Sequence, residues 1–292
     1  MNRRNFLGAA LAAGGVTPAF SRQTLAADHG GGALPSTGAA ERSLQEHRMQ
    51  VASSLHMCVF DTFGTVVDWR SSVIAEVEEL ARQKGWDLDA EAFAVAWRAN
   101  YGPSRNRVRT GELPWTKLDD LHRMTLDDLL IQFKIEGLSE EEKVHLNKVW
   151  HRLHPWPDAP EGLARLKTRY VLSPLSNGNV ALLTEMAKFG GLPWDCVLGS
   201  DVVRHYKPDR EMYLMPSEFF DIPPSAVLMV AAHPGDLDRA KSYGLRTAYV
   251  HRPLERGPDA APWDPPEVGR FDFLATDFND LASQLGIWSL PA

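Results

Sequence analysis

The hydrophobic pattern of this chain changes period twice. Met57, Cys58, Val59 and Phe60 form an unbroken apolar run that ends in Asp61, as in a strand buried on both faces. From Ser71 to about Leu153 the apolar positions fall at helical spacing instead. Val73, Ile74, Val77, Leu80 and Ala81 predict a helix stopped at Gly85. Ala90, Phe93, Ala94, Trp97 and Tyr101 predict a second, stopped at Gly102-Pro103. Leu118, Leu121, Leu129, Leu130 and Phe133 predict a third, and Ser139 reads as the N-cap of a fourth with Glu140, Glu141 and Glu142 in its first turn.

After Pro155-Trp156-Pro157 the pattern alternates. Strands are expected over Tyr170–Ser176, Cys196–Gly199, Val227–Val230, Thr247–Val250 and Phe271–Leu274, with helices over Val180–Gly190, Arg210–Phe219 and Asp236–Gly244 and one at the C-terminus. Pro174 argues for an edge or a bend in its strand. Gly257 to Gly269, with four prolines, reads as an irregular loop. Alternating strands and helices imply a doubly wound parallel α/β core. The helical block interrupts it after the first strand, so it reads as an inserted cap. The expected division is a core of residues 55–70 and 156–292, a cap of 71–155 and a linker of 28–54. Pockets form preferentially between such units.

Composition narrows the class. The chain has 292 residues, 44% hydrophobic and 24% charged, which suits a globular enzyme. No apolar run reaches the roughly 18 residues a membrane helix needs. Arg3-Arg4, a mild Ala/Gly/Leu stretch and Leu25-Ala26-Ala27 look like a twin-arginine export signal over residues 1–27, implying a periplasmic protein. Cleavage after Ala27 removes three arginines and no acids, taking the net charge from −7 to −10. Such a protein is a poor partner for nucleic acid or anionic membrane. Cys58 and Cys196 read as two inert thiols rather than a disulfide.

The chemistry sits at the strand ends. Asp61 ends the first strand and shares a Gly-containing loop with Thr65. Ser176-Asn177-Gly178, Lys207-Pro208 with Tyr213 six residues after the lysine, and Asp236 fall after later strands. Together they bring a nucleophilic carboxylate, hydroxyl and amide donors, an ammonium and a second carboxylate to the edge where open α/β sheets bind ligands. In this order they resemble the motifs of the haloacid dehalogenase superfamily over about residues 55 to 288. Asp61-Thr62-Phe63, Trp97-Arg98, Ser176-Asn177-Gly178 and Lys207-Pro208 with Tyr213 resemble the type II L-2-haloacid dehalogenases in particular.

That resemblance implies roles. Asp61 attacks the halogen-bearing carbon, with inversion, and forms an ester. Thr65 orients Asp61, Arg98 and Asn177 hold the halide, and Ser176 binds the substrate carboxylate. Lys207 stabilises the charge of Asp61, Tyr213 supports Lys207, and Asp236 helps activate water. The expected product is a 2-hydroxy acid made from a short 2-haloalkanoate, without metal or other cofactor. A homodimer is compatible with the resemblance. Phe63 stands where phosphatase members carry a general acid. A halide leaves without a proton, so no acid is needed there. Ala231-Ala232-His233 replaces the family's usual Ser and Asn, which makes His233 a candidate base or orienter. The alternatives are a magnesium-dependent phosphatase of the same fold and a non-catalytic binder of small carboxylates. His145, His151 and His154 lack metal-ligand spacing with carboxylates.

Overall fold

The computed structural model describes residues 37–261 and 264–290, so the expected export signal lies outside the described residues. The chain enters through α1 (Thr37–Ser54), a helix where a linker was expected. Its last turn buries Val51 and Ala52, and the Tyr170 hydroxyl donates to the Ala52 carbonyl at 3.1 Å. Leu44, Gln45, Glu46, Arg48 and Met49 are good helix formers, a signal that the Gly/Ala/Ser content of the segment hides.

Next come β1 (Met57–Phe60) and β2 (Val67–Asp68). The helical insert runs as α2 (Trp69–Lys84), α3 (Ala90–Ala99), α4 (Tyr101–Arg109), α5 (Leu118–Gln132) and α6 (Glu140–Asn147), and returns through β3 (His154–Pro155). Asp68 caps α2 by accepting from the Ser71 amide, and Gly85 ends it in the left-handed region. Ser139 and Glu142 close a capping box on α6. Gly102-Pro103 does not end the preceding helix where expected. Both lie in the first turn of α4, where a missing N–H costs nothing.

The chain then alternates through α7 (Ala159–Lys167), β4 (Val171–Ser176), α8 (Val180–Gly190), β5 (Leu198–Gly199), α9 (Ser200–Val203), α10 (Arg210–Phe219) and β6 (Val227–Ala231). It finishes with α11 (Pro234–Ser242), β7 (Arg246–Val250), β8 (Phe273–Ala275) and α12 (Phe278–Gln284). Two strands are shorter or shifted relative to expectation: β5 lacks Cys196 and Val197, and β8 begins two residues late.

One sheet of six parallel strands carries the fold, in the order β5-β4-β1-β6-β7-β8. Phe60 is in register with Pro174 on one side and Val230 on the other. The residues after these strands therefore emerge together at one edge, with β1 at the point where the strand order reverses. Both faces are covered, as a parallel sheet requires. Cys58, Phe60, Leu172 and Val230 pack against Leu163, Leu182 and Phe278, while Val59, Leu175 and Met229 pack against Met212, Leu237 and Ala240.

Pro174 lies inside the sheet, not at its edge. The Leu172 amide, two residues before it, is taken by the Asp195 side chain at 2.9 Å. By strand alternation the Pro174 nitrogen faces the same way, toward a stretch that β5 does not reach, so no ladder bond is lost.

The two crossings between core and cap pair as an antiparallel ribbon, Val67 with Pro155 and Asp68 with His154. The cap is also bonded to the core along a rim. Arg105 Nη1 donates to the Lys207 carbonyl (3.0 Å), Arg109 Nε to Asp209 (2.8 Å), the Tyr206 hydroxyl to the Thr116 carbonyl (2.7 Å) and Asn179 Nδ2 to Asp119 (2.9 Å).

Candidate active site

Asp61 sits one residue past the end of β1, its amide held by the Val230 carbonyl at 3.0 Å. The next turn folds back on itself. Val66 and Val67 donate to the Thr62 carbonyl, and Gly64, at φ +84°, lets the loop turn under the Glu255 carboxylate. This places Thr65 Oγ1 3.0 Å from Asp61 Oδ2, and the Ala232 amide donates to that hydroxyl oxygen at 2.9 Å. The Thr65 proton is thereby directed at Asp61. Arg252 braces the loop from behind through the Thr65 carbonyl and a two-pronged pair with Asp158.

Asp61 Oδ2 also meets His233 Nδ1 at 3.0 Å, while Oδ1 meets Lys207 Nζ at 3.4 Å. Oδ1 is the less encumbered oxygen. Burial alone would raise the Asp61 pKa. The Lys207 ammonium, His233 and Thr65 outweigh it and hold the carboxyl far below the usual carboxylate range. Lys207 is itself buried, which disfavours its charge. Asp236 and Asp61 reverse that and raise its pKa. Asp236 takes Lys207 Nζ on Oδ2 at 2.7 Å and the Tyr213 hydroxyl on Oδ1 at 2.5 Å. Tyr213 thus supports Lys207 through Asp236, and its ring also lies 5.9 Å from Lys207 Nζ. Burial and Asp236 push its phenol well up, so it stays a donor.

His233, at the start of α11, bridges two carboxylates. Nδ1 faces Asp61, and Nε2 lies 3.0 Å from both oxygens of Glu255. Burial opposes its charge, but the bonds to Asp61 and Glu255 push its pKa up to about 10. The resting ring is an imidazolium. Glu255 is a residue that sequence reading missed. It lies in the loop after β7, and position after a strand at the ligand-binding edge was the available signal.

A cavity of about 360 Å³ opens between sheet edge and cap, lined by Asp61, Phe63, Arg98, Asn177, Lys207, Tyr213, His233 and Asp236, and also by Tyr101 and Arg105. Its cap wall is aromatic. The Arg98 guanidinium lies 4.2 Å from the Tyr101 ring centroid, 5.3 Å from Trp69 and 5.8 Å from Phe63, and its Nη1 is buried without a hydrogen-bond partner among the described residues. Phe63 is buried against Tyr101 and Trp150. Asn177 accepts the Lys207 amide on Oδ1 at 2.8 Å, which leaves its Nδ2 as the donor for the cavity.

Ser176 departs from expectation. It is fully buried at the end of β4, its Oγ accepts from the Gly178 amide at 3.3 Å, and it does not line the cavity. Strand alternation turns its side chain under the loop while Asn177 faces out. Trp156 and Trp194 pack, Trp156 also donating to the Gly64 carbonyl and Trp194 lying 5.3 Å from Phe60. Among the described residues no group of three His, Cys, Asp or Glu side chains is placed to hold a metal ion. At the Asp61–Asp236 junction the positive charge is the Lys207 ammonium.

A parallel sheet with a capped edge and an aspartate held there by a lysine, a histidine and a threonine define a capped α/β hydrolase. The haloacid dehalogenase-like hydrolase family matches residues 55–244, and the chain belongs to that family. It is similar in structure to a defluorinating L-2-haloacid dehalogenase, at 42% identity and a TM-score of 0.75 over 80% of this chain and 95% of that one. A second L-2-haloacid dehalogenase matches at 43% identity and a TM-score of 0.76, over 80% and 99% of the two chains. By sequence it is 29% identical over 212 residues to (S)-2-haloacid dehalogenase 4A of Burkholderia cepacia, over 69% of this chain and 85% of that protein.

Proposed function

We propose that this protein hydrolyses the carbon–halogen bond of short (S)-2-haloalkanoates, giving the inverted 2-hydroxy acid through an ester on Asp61. The observation that carries the reading is the setting of Asp61: largely buried, bonded to Thr65, His233 and Lys207, and lining a small cavity that also holds an aromatic-cradled guanidinium. Displacement needs a naked carboxylate in line with a leaving group met by fixed positive charge. Oδ1 attacks the carbon, and the halide departs toward Arg98 and the Asn177 amide. Similarity to L-2-haloacid dehalogenases at 42% and 43% identity supports the substrate class.

Hydrolysis of the ester follows from the same geometry. Esterification neutralises one of the two carboxylates that hold the His233 proton, so its pKa falls and Nδ1 gives its proton to solvent. Glu255 keeps the proton on Nε2, leaving Nδ1 as the base. Water loses a proton to Nδ1 and adds to the Asp61 carbonyl carbon, whose oxygen Oδ2 keeps the Thr65 hydroxyl. Collapse breaks the bond to the substrate oxygen, and the alkoxide takes the proton of the new acid. Asp61 and the His233 imidazolium are restored, with one halide, one proton and one hydroxy acid released.

The test is multiple turnover in heavy-oxygen water. The peptide holding Asp61 gains mass if water attacks the ester carbonyl. An active enzyme with an unlabelled Asp61 peptide overturns the covalent route. Halide release from each enantiomer of 2-chloropropionate, with and without chelator, reads stereochemistry and metal dependence together. Phe63 and Lys207 predict no loss on chelation. A 2-fluoro acid belongs in the panel, since one solved relative is described as defluorinating. We also infer export to the periplasm from Arg3-Arg4 and the site after Ala27. Unchanged export with both arginines replaced by lysine would sink that reading.

A further inference from the structure

The cavity presents two guanidinium groups, and the Ser176 hydroxyl expected to hold the substrate carboxylate does not reach it. Lys207 is neutralised by Asp61 and Asp236. Arg98 and Arg105 line the same cavity without a carboxylate partner among the described residues. Both pack on one ring, Tyr101, at 4.2 and 4.1 Å from its centroid. Arg105 is also held in place. Nε donates to the Tyr101 carbonyl at 3.2 Å and Nη1 to the Lys207 carbonyl at 3.0 Å, while Nη2 makes no hydrogen bond among the described residues.

Two fixed cations over a site of this size ask for two negative groups. A 2-haloalkanoate brings two, the departing halide and the carboxylate. Arg98, in the drier aromatic cradle, suits a soft halide. Arg105, anchored on two sides with one donor nitrogen left over, suits an oxyanion. Resting on the dehalogenase reading above, we propose that Arg105 binds the substrate carboxylate and is the residue that selects a 2-halo acid over a neutral halide of the same shape. Because Nη1 is fixed to the carbonyl of Lys207, the carboxylate is held in a constant relation to the ammonium beside Asp61.

The test separates the two anion sites in the full chain. Propionate, a carboxylate without a halogen, and bromide are used as inhibitors of halide release from 2-chloropropionate. Arg105→Gln should weaken propionate inhibition and raise KM by about tenfold or more, with bromide inhibition unchanged. It should also narrow the preference for 2-chloropropionate over 2-chloropropionamide by a similar factor. Arg105→Lys should fall between, and Ser176→Ala should leave propionate inhibition as it was. The proposal is overturned if Arg105→Gln leaves propionate inhibition within about twofold of the parent. It is also overturned if propionate and bromide weaken together, or if Ser176→Ala alone weakens propionate. Should the parent release no halide, the dehalogenase reading fails, and calorimetric propionate binding to parent and Arg105→Gln still decides the role of Arg105.

Discussion

Asp61 Oδ2 and His233 Nδ1 lie 3.0 Å apart, and each sets the charge of the other. The imidazolium helps keep the carboxyl ionised in a dry site, and the carboxylate keeps the ring protonated. In the proposed reaction, converting Asp61 to an ester removes that mutual support, so the base for the second step would arise only once the first is complete.

Replacing His233 by Gln should therefore separate the two steps. The first turnover should release about one halide per enzyme, after which the rate should fall on the order of a hundredfold. Mass measurement of the Asp61 peptide should show the trapped adduct. Equal slowing of burst and steady state would assign His233 to the displacement instead.

The same pair fixes the pH response. Asp61 has its pKa lowered, so its contribution to stability is present above the ordinary aspartate value of 3.8 and lost as pH falls through its depressed value. His233 is raised to about 10, so its contribution is present below 6.5 and lost as pH rises through that raised value. Neither group changes charge in between. Single-turnover halide release should be flat from roughly pH 5 to 9, and a steep limb inside that range would contradict the assignment.

Arg98→Lys keeps a positive charge but loses the flat group that lies against Tyr101, Trp69 and Phe63. The displacement step should slow about tenfold or more, equivalent to about 1.4 kcal/mol. Rapid-quench halide release measures it directly. A normal burst would place Arg98 outside the halide path.

Gly64 tests the placement of Glu255 without replacing either member of the His233–Glu255 pair. An alanine there meets the Glu255 carboxylate and must hold φ +84°. Gly64→Ala should cost about 1–2 kcal/mol in stability. Steady-state turnover should drop while the burst survives, as in the His233 variant. Thermal melting and stopped-flow measurements on one preparation read both effects.

How much was legible in the sequence follows from what each residue depends on. Asp61 and Asp236 were readable because one follows a strand and the other lies in the first turn of a helix after one, and strand ends at one sheet edge converge; Lys207 was readable from Lys-Pro with Tyr213 six residues on. Glu255 was not, because its role comes from a loop returning over Gly64, a contact between distant segments. Ser176 was misplaced by half a strand period. The motif names the residue, but alternation decides which of Ser176 and Asn177 faces the cavity. Arg105 sits in Ser104-Arg105-Asn106-Arg107, a run that reads as a solvated helix face until Tyr101 and the Lys207 carbonyl close on it. The helix α1 was hidden by small residues that suggest flexibility in isolation and gain order only by docking on Tyr170.

The rim of bonds from the cap, at Arg105, Arg109, Thr116 and Asp119, to the core, at Lys207, Asp209, Tyr206 and Asn179, ties the two units to each other at four points. Side chains from both units that line the cavity are therefore held at a set separation. Opening the cap would break these bonds together, at about 0.5–1.5 kcal/mol net for each, so the width of the cavity mouth is set by four polar contacts far from Asp61 in sequence.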